Sequence, residues 1–261
     1  MNDPHVECLH YKATAADFVV IADGSSVKVE TAEFDGILAD GELVLTMKCH
    51  FSTEAEARAI ADPFVNGWSI ASGLRRVRSE VTFSFLKADI IDRSPEFKGG
   101  FSGSAVLPMV HVHGVMTSEP IKIKYPSPVP TFVASPEVQV LWARYQAYIE
   151  GREPLLSVAY FCLTFVEAMA GGGPARAAEM CKISKGVFKK IGKLCGEHGD
   201  YLTARKVINN KKFKPLSQDK IRWLDSAVRL IIRRVGDSSI DTCEIITDDK
   251  IINHDLIALG D

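Results

Sequence analysis

The sequence predicts an α+β protein, in which an N-terminal, mainly antiparallel β domain with one inserted helix is followed by a C-terminal, all-helical domain. Three observations lead to this prediction: a proline-rich segment near residue 130, β-strand patterning before it and helical periodicity after it. A length of 261 residues accommodates two domains of ordinary size. The predicted divisions are residues 1–130, a connector over 131–136, a basic helical domain over 137–240 and an acidic tail over 241–261.

The boundary between the two patterns lies in residues 125–136, which include four prolines. Proline fixes φ and removes a backbone donor, so neither a helix nor a central strand is expected to run through this segment. Hydrophobic residues make up 46% of the chain and charged residues 25%, which is typical of a globular protein and excludes a mainly disordered chain or a coiled-coil rod.

The six cysteines form no CxxC pair, and the first ten residues contain no apolar core. The most apolar run, residues 155–170, is shorter than the ~20 residues that span a bilayer and includes Glu167. We therefore expect a cytoplasmic protein with reduced thiols, no secretory signal and no membrane segment.

Short runs of β-branched and aromatic residues separated by turn signals predict the strands. The strongest turn signal is Asp40-Gly41, a two-residue hairpin sequence. An inserted helix is predicted near residues 53–72, and Pro63 is expected to end or kink it. The predicted strands cover residues 18–22, 27–31, 34–38, 43–51, 81–91, 105–116 and 121–125.

After the connector, apolar residues recur at helical spacing. Ser135 is predicted to cap the first helix, and Pro136 suits its first position. Residues 153–170 are apolar nearly all round, which is typical of a central, buried helix. The predicted helices cover residues 136–149, 153–170, 174–181, 185–195 and 217–235.

The formal net charge of −2 hides an uneven distribution of charge along the chain. Residues 182–234 contain 15 basic and 4 acidic residues, whereas the tail 241–261 contains 1 basic and 6 acidic residues. A clustered positive surface attracts nucleic acid or an acidic protein surface. The alternative is that these basic residues are solvated or pair with acidic parts of the same chain. The sequence leaves both interpretations open.

Residues 174–194 resemble a helix-turn-helix motif in their pattern. Ala178 is the small residue expected where the two helices approach. The positions expected in the core of the motif are apolar or small: Ala177, Cys181, Ile183, Phe188 and Ile191. Lys182 stands where the turn of such a motif most often has glycine. The outward positions of the second helix suit phosphate contacts better than base readout: Lys185, Lys189, Lys190 and Lys193.

Further basic residues follow this motif. A segment downstream either lies on a nucleic-acid backbone or forms a solvated connector, and its candidate contacts are Arg205, Lys206, Lys211 and Lys212. On the last predicted helix, three arginines either extend the basic face or pair with Asp237: Arg229, Arg233 and Arg234. The leading hypothesis is therefore a binding protein that contacts nucleic acid through its helical domain.

The alternative hypothesis is a hydrolase or nuclease with a His/Asp site in the β domain or the domain cleft. His111 and His113 are two residues apart on a predicted strand, which places both imidazoles on one face, an arrangement that a metal site can use. His50 and either Asp89 or Asp92 are the candidates to complete that site. No P-loop or dinucleotide-binding fingerprint occurs, so nucleotide binding by those routes is not predicted. A third hypothesis is a homo-oligomer that assembles through exposed strand edges.

Overall fold

The computed structural model describes residues 3–16, 19–75, 81–94, 121–199, 203 and 214–251. Its internal contacts divide the chain into an N-terminal unit, Met1–Pro130, and a C-terminal unit, Thr131–Asp261. An antiparallel sheet with an inserted helix in the N-terminal unit, followed by helices in the C-terminal unit, confirms the predicted α+β class.

Five strands of the N-terminal unit form one antiparallel sheet. They are β1 (Pro4–Ala15), β3 (Ser26–Glu30), β4 (Phe34–Ala39), β5 (Glu42–Met47) and β6 (Val81–Asp92), in the order β3-β4-β5-β1-β6. Two short strands, β2 (Val19–Ile21) and β7 (Ile121–Ile123), pair in parallel. The predicted strand over residues 105–116 lies outside the described residues. Assembly through the edges of the sheet stays a prediction.

β1 holds the sheet together because it pairs with both β5 and β6. Sequence patterning did not predict this strand. Its register against β6 shifts twice, between Val6 and Cys8 and between His10 and Tyr11. These irregularities interrupt the strict alternation of apolar and polar residues by which a half-buried strand is recognised.

The inserted helix is α1 (Glu54–Arg75), which packs its apolar side against the sheet. Its buried side chains recur at helical spacing: Ala57, Ala61, Val65 and Trp68. Trp68 also donates its indole N–H to the carbonyl of Pro126, over 2.8 Å. Of the two predicted effects of Pro63, it does not end the helix, which continues to Arg75, and a kink stays a prediction. Proline removes one backbone hydrogen bond from the helix, but burial of the apolar side of α1 against the sheet offsets that loss.

Five helices form the C-terminal unit: α2 (Pro136–Ile149), α3 (Leu155–Met169), α4 (Pro174–Cys181), α5 (Lys185–Glu197) and α6 (Gln218–Gly236). As predicted, Ser135 caps α2 by accepting a hydrogen bond from the Val138 N–H over 3.3 Å. α3 contacts each of the other four helices, so it is the central helix. Within the described ranges, no single helix is both long enough and apolar enough to cross a membrane. Only α3 and α4 taken together have that length and composition, and the two helices are bent by 87° relative to each other.

All six cysteines are free thiols. Cys162 on α3 is completely buried, and Cys181 at the end of α4 is 1% exposed. Burial raises the pKa of each of these two thiols to about 12. Both therefore stay protonated at neutral pH and lack the thiolate that reacts with oxidants and alkylating reagents.

The last turn of α6 requires glycine at position 236. A Cβ placed on Gly236 would lie 2.4 Å from Cε2 of Phe132, and Phe132 is itself held by a β-bridge to Asp237. We expect Gly236→Ala to lower the free energy of unfolding by about 1–3 kcal/mol, because the ring or the helix must shift.

Gly196, near the end of α5, provides the matched control, since a Cβ there meets nothing within 4 Å. Gly196→Ala is expected to raise the free energy of unfolding by up to about 1 kcal/mol through helix propensity. Denaturant unfolding of both variants measures the difference. Equal changes in stability at the two positions would contradict the close approach of Phe132.

Candidate nucleic-acid interface

α4 and α5 are joined by a turn of three residues, 182–184, and pack against each other. The positions that the sequence places in the core of a helix-turn-helix are all at most 1% exposed: Ala177, Cys181, Ile183, Phe188 and Ile191. Ala178, at the predicted approach of the two helices, is partly buried. The predicted core positions are therefore buried in this helical pair, and its assignment to the helix-turn-helix motif stays a prediction.

Lys182 adopts the left-handed conformation at the end of α4, with φ +50° and ψ +41°. Its N–H and the N–H of Ile183 donate to the carbonyls of Glu179 and Ala178, at 3.2 and 3.1 Å, which closes the helix end. Glycine usually occupies this conformation because a Cβ costs about 1–2 kcal/mol there. Lys182 thus adopts a conformation that glycine usually provides at a helix end.

Three exposed lysines follow one another along α5 at intervals of four residues: Lys185, Lys189 and Lys193. We call these three residues the lysine stripe. Among the described residues, none of the three side chains makes a hydrogen bond or an ion pair. The opposite side of α5 is buried through Val187, Phe188 and Ile191, so the packing of the helix fixes the stripe on its outer face.

Lys190, the fourth predicted contact, has a different environment. Its ammonium lies 2.8 and 3.0 Å from the two carboxylate oxygens of Asp248 and 4.1 Å from the centre of the Trp223 ring. At this position the acidic tail pairs with the basic segment, which is one of the two interpretations that the sequence left open.

The arginines of α6 do not extend the basic face as a group. Arg229 is 9% exposed and pairs with Asp225 rather than with Asp237, with Nε 3.1 Å from Oδ2. Arg234 is 7% exposed and donates to the carbonyl of Glu244. The downstream candidates lie outside the described residues: Arg205, Lys206, Lys211 and Lys212.

The proposed metal ligands His111 and His113 also lie outside the described residues. Of the residues expected to complete their site, Asp89 accepts hydrogen bonds from His10 and Lys87, whereas His50 stacks on His5 with ring centres 5.2 Å apart. Asp92 accepts from the backbone and hydroxyl of Ser94. Within the described ranges, no three His, Cys, Asp or Glu side chains lie together in a way that holds a metal ion.

His10 is a polar feature that sequence reasoning missed. One ring nitrogen, Nδ1, lies 2.6 Å from a carboxylate oxygen of Glu42, and the other, Nε2, lies 2.8 Å from a carboxylate oxygen of Asp89. The side chain thus links three adjacent strands, β5, β1 and β6. A local sequence pattern cannot predict these contacts, because 32 and 79 residues separate His10 from Glu42 and Asp89.

The turn geometry predicts an unusual order of stabilities at position 182. Alanine keeps the strained Cβ and glycine removes it, so we expect Lys182→Gly to be more stable than Lys182→Ala by about 0.5–1 kcal/mol, after allowance for the greater unfolded-state entropy of glycine. At Glu179, which is exposed within α4, the order should reverse, with glycine about 1 kcal/mol below alanine. Denaturant unfolding of the four variants tests this, and the same order at both positions would contradict a left-handed Lys182.

His5 should make the stability of the protein depend on pH. Its side chain is completely buried, Nδ1 accepts from the Phe51 N–H, and Nε2 has no partner among the described residues. Burial, together with the charge of Arg93 and the neighbouring His50, lowers the pKa of His5 below its ordinary value of 6.5. As the pH falls through about 6.5, the unfolded chain binds a proton at His5 more readily than the folded protein does, so the free energy of unfolding decreases as the pH is lowered.

We therefore expect the stability of His5→Met to fall less steeply between pH 7 and pH 5 than that of the wild type. The difference in slope is at most about 1.4 kcal/mol per pH unit, the value for one proton. Denaturant unfolding across this range measures it. The same slope in both proteins would show that His5 is protonated equally in the folded and unfolded states.

Comparison of the chain with protein-family models, with curated proteins and with solved structures gives no match. The candidate interface is therefore defined by its own residues. It consists of a buried helical pair, a left-handed turn at Lys182 and an exposed lysine stripe on α5.

Proposed function

We propose that the protein binds nucleic acid, with α5 as the contacting helix and the lysine stripe as the phosphate-binding surface. The observation that carries this proposal is the stripe itself: three exposed and unpaired ammonium groups, among the described residues, on the outer face of a helix with a buried inner face. The helix-turn-helix-like packing of α4 and α5 supports it, because this motif presents its second helix to DNA.

The charge of the stripe favours a polyanionic partner. Like charges four residues apart on a helix repel one another, at a cost of about 0.2–0.5 kcal/mol per pair. Lys185–Lys189 and Lys189–Lys193 are two such pairs. A row of phosphates removes this repulsion and releases counterions from the nucleic acid, so binding relieves an electrostatic cost that the free protein carries.

The dimensions of the stripe fit a nucleic-acid backbone. Eight residues of helix separate Lys185 from Lys193, which corresponds to about 12 Å along the helix axis. One strand of B-DNA has a phosphate for every ~3.4 Å of duplex axis, so for an α5 aligned with that axis this length corresponds to three or four phosphates. Each lysine can therefore contact a separate phosphate.

The same residues argue for binding that depends little on base sequence. Base edges in the major groove are read by arginine or lysine at guanine and by asparagine or glutamine at adenine. The outward positions of α5 include lysine but no arginine, asparagine or glutamine, and the contacts that lysines make with phosphates carry no sequence information. We therefore expect similar affinities for duplexes of unrelated sequence.

The test is fluorescence anisotropy of a labelled 20-base-pair duplex across a salt series. The affinity of the wild-type protein should fall linearly in log–log coordinates with salt concentration. The triple variant Lys185→Gln/Lys189→Gln/Lys193→Gln should lose about three units of that slope, because each phosphate contact contributes about 0.9 for B-DNA.

The matched control changes three exposed lysines of the N-terminal unit to glutamine: Lys28, Lys122 and Lys124. This control makes the same change in net charge away from the stripe and should preserve nearly all of the slope. Loss of slope in both triple variants would indicate attraction by net charge alone. Absence of binding by the wild type at 20 mM salt, with either duplex DNA or single-stranded RNA, would exclude the proposed function.

A further inference from the structure

The C-terminal segment of the described chain, residues 244–251, lies across the turn between α4 and α5, and we call it the strap. The N–H of Ile246 donates to the carbonyl of Lys182 over 2.9 Å, and the N–H of Ser184 donates to the carbonyl of Ile246 over 2.8 Å. These two bonds form a parallel β-bridge between Ile183 and Ile246. The strap is therefore bonded to the turn that leads into α5.

Two apolar side chains anchor the strap. Ile246 is 4% exposed and Ile251 is 1% exposed. Between them, residues 248–250 form one turn of 3-10 helix, which places the carboxylate of Asp248 on the ammonium of Lys190. The carbonyl of Asp248 also lies 3.5 Å from the indole nitrogen of Trp223. The anchors thus hold an acidic side chain against the helix that carries the lysine stripe.

We propose that Asp248 is a built-in competitor for phosphate at Lys190, so that the strap lowers the affinity of the protein for nucleic acid. The proposal rests on the proposed function of α5. A carboxylate and a phosphate oxygen accept the same charge-assisted hydrogen bonds from an ammonium group. While Asp248 occupies Lys190, α5 offers the lysine stripe alone to nucleic acid.

The exposure of the pair makes the competition reversible. The side chains of Lys190 and Asp248 are 39% and 49% exposed. An exposed ion pair contributes about 0–1 kcal/mol, so a phosphate can displace the carboxylate without disturbing the buried Ile246 and Ile251. The displaced carboxylate stays tethered beside Lys190, at an effective concentration on the order of millimolar. The competition therefore persists during binding.

Lys190 is placed to add a fourth contact once it is released. It lies next to Lys189 in the sequence, about 100° around the helix from the stripe, within reach of the same backbone. Its ammonium also contacts the Trp223 ring of α6, with 4.1 Å between Nζ and the ring centre. One additional released counterion should tighten binding and steepen the salt dependence together.

The experiment compares Asp248→Asn with Asp249→Asn in the full chain, using the same labelled duplex and salt series. Each variant removes one negative charge from the strap. The carboxylate of Asp249 accepts a hydrogen bond from Thr247 instead of meeting Lys190, so it provides the matched control. Asp248→Asn should tighten binding about three- to tenfold at 0.1 M salt and add about 0.9 to the slope. Asp249→Asn should change the affinity less than about twofold, through screened long-range charge only.

A third variant tests whether the tighter binding of Asp248→Asn depends on Lys190. Adding Lys190→Gln to Asp248→Asn should return the affinity and the slope to the wild-type values, because the residue released by the first change is then removed.

The outcomes separate this inference from the proposed function. Equal effects of Asp248→Asn and Asp249→Asn, with a wild-type slope that still depends on the lysine stripe, would overturn the competition by Asp248 and leave the proposed function standing. The absence of binding by the wild type and by every variant at low salt would overturn both. A gain in Asp248→Asn that survives removal of Lys190 would assign the effect to general charge and would also overturn the competition.

Discussion

The C-terminal unit is organised around α3, the helix that contacts the other four. Glu167 is the one charged residue between Leu155 and Met169, and the side of the helix that includes Leu155, Val158 and Cys162 is buried. Each of the four contacting helices therefore has to present apolar side chains toward α3. On α5 that requirement assigns Val187 and its buried neighbours to the core. The lysines take the remaining, outward positions, so the candidate interface follows from the packing of α3.

Each unit also contains a hydrogen-bonded group of tyrosine, aspartate and arginine. In the C-terminal unit, the hydroxyl of Tyr145 donates to Asp225 over 2.9 Å, and Arg229 pairs with the other carboxylate oxygen. Burial raises the pKa of Asp225, whereas the charge of Arg229 opposes this rise. A buried carboxylate is tolerated when its oxygens are hydrogen-bonded and its charge is paired, so this group fixes the position of α2 against α6 without leaving an orphaned charge. The Tyr11–Asp62 hydrogen bond connects β1 to α1 in the same way.

The features that the sequence predicts correctly are local ones. Ser135 caps α2, and the five helices of the C-terminal unit form where periodicity places them, because capping and amphipathic spacing act over a few residues. β1 was missed because its two register shifts arise from pairing with distant strands. The lysine stripe was predictable from spacing, but the pairing of Lys190 with Asp248 joins residues 58 positions apart. Contacts of that kind depend on the folded arrangement, and a pattern read along the chain contains no information about them.

The reactivity of the buried thiols depends on local opening of the helices that contain them. Cys162 on α3 and Cys195 on α5 lie on packed helices, at 0% and 3% exposure, and Cys181 lies at the end of α4. A reagent can reach them only during excursions in which the helices separate, so the rate of alkylation at each site reports the free energy of that local opening. Oxidation to a sulfinic or sulfonic acid during such an excursion would place a charged group in the core. The closed bundle has no partner for that charged group, so oxidation during an excursion would prevent the helices from packing together again.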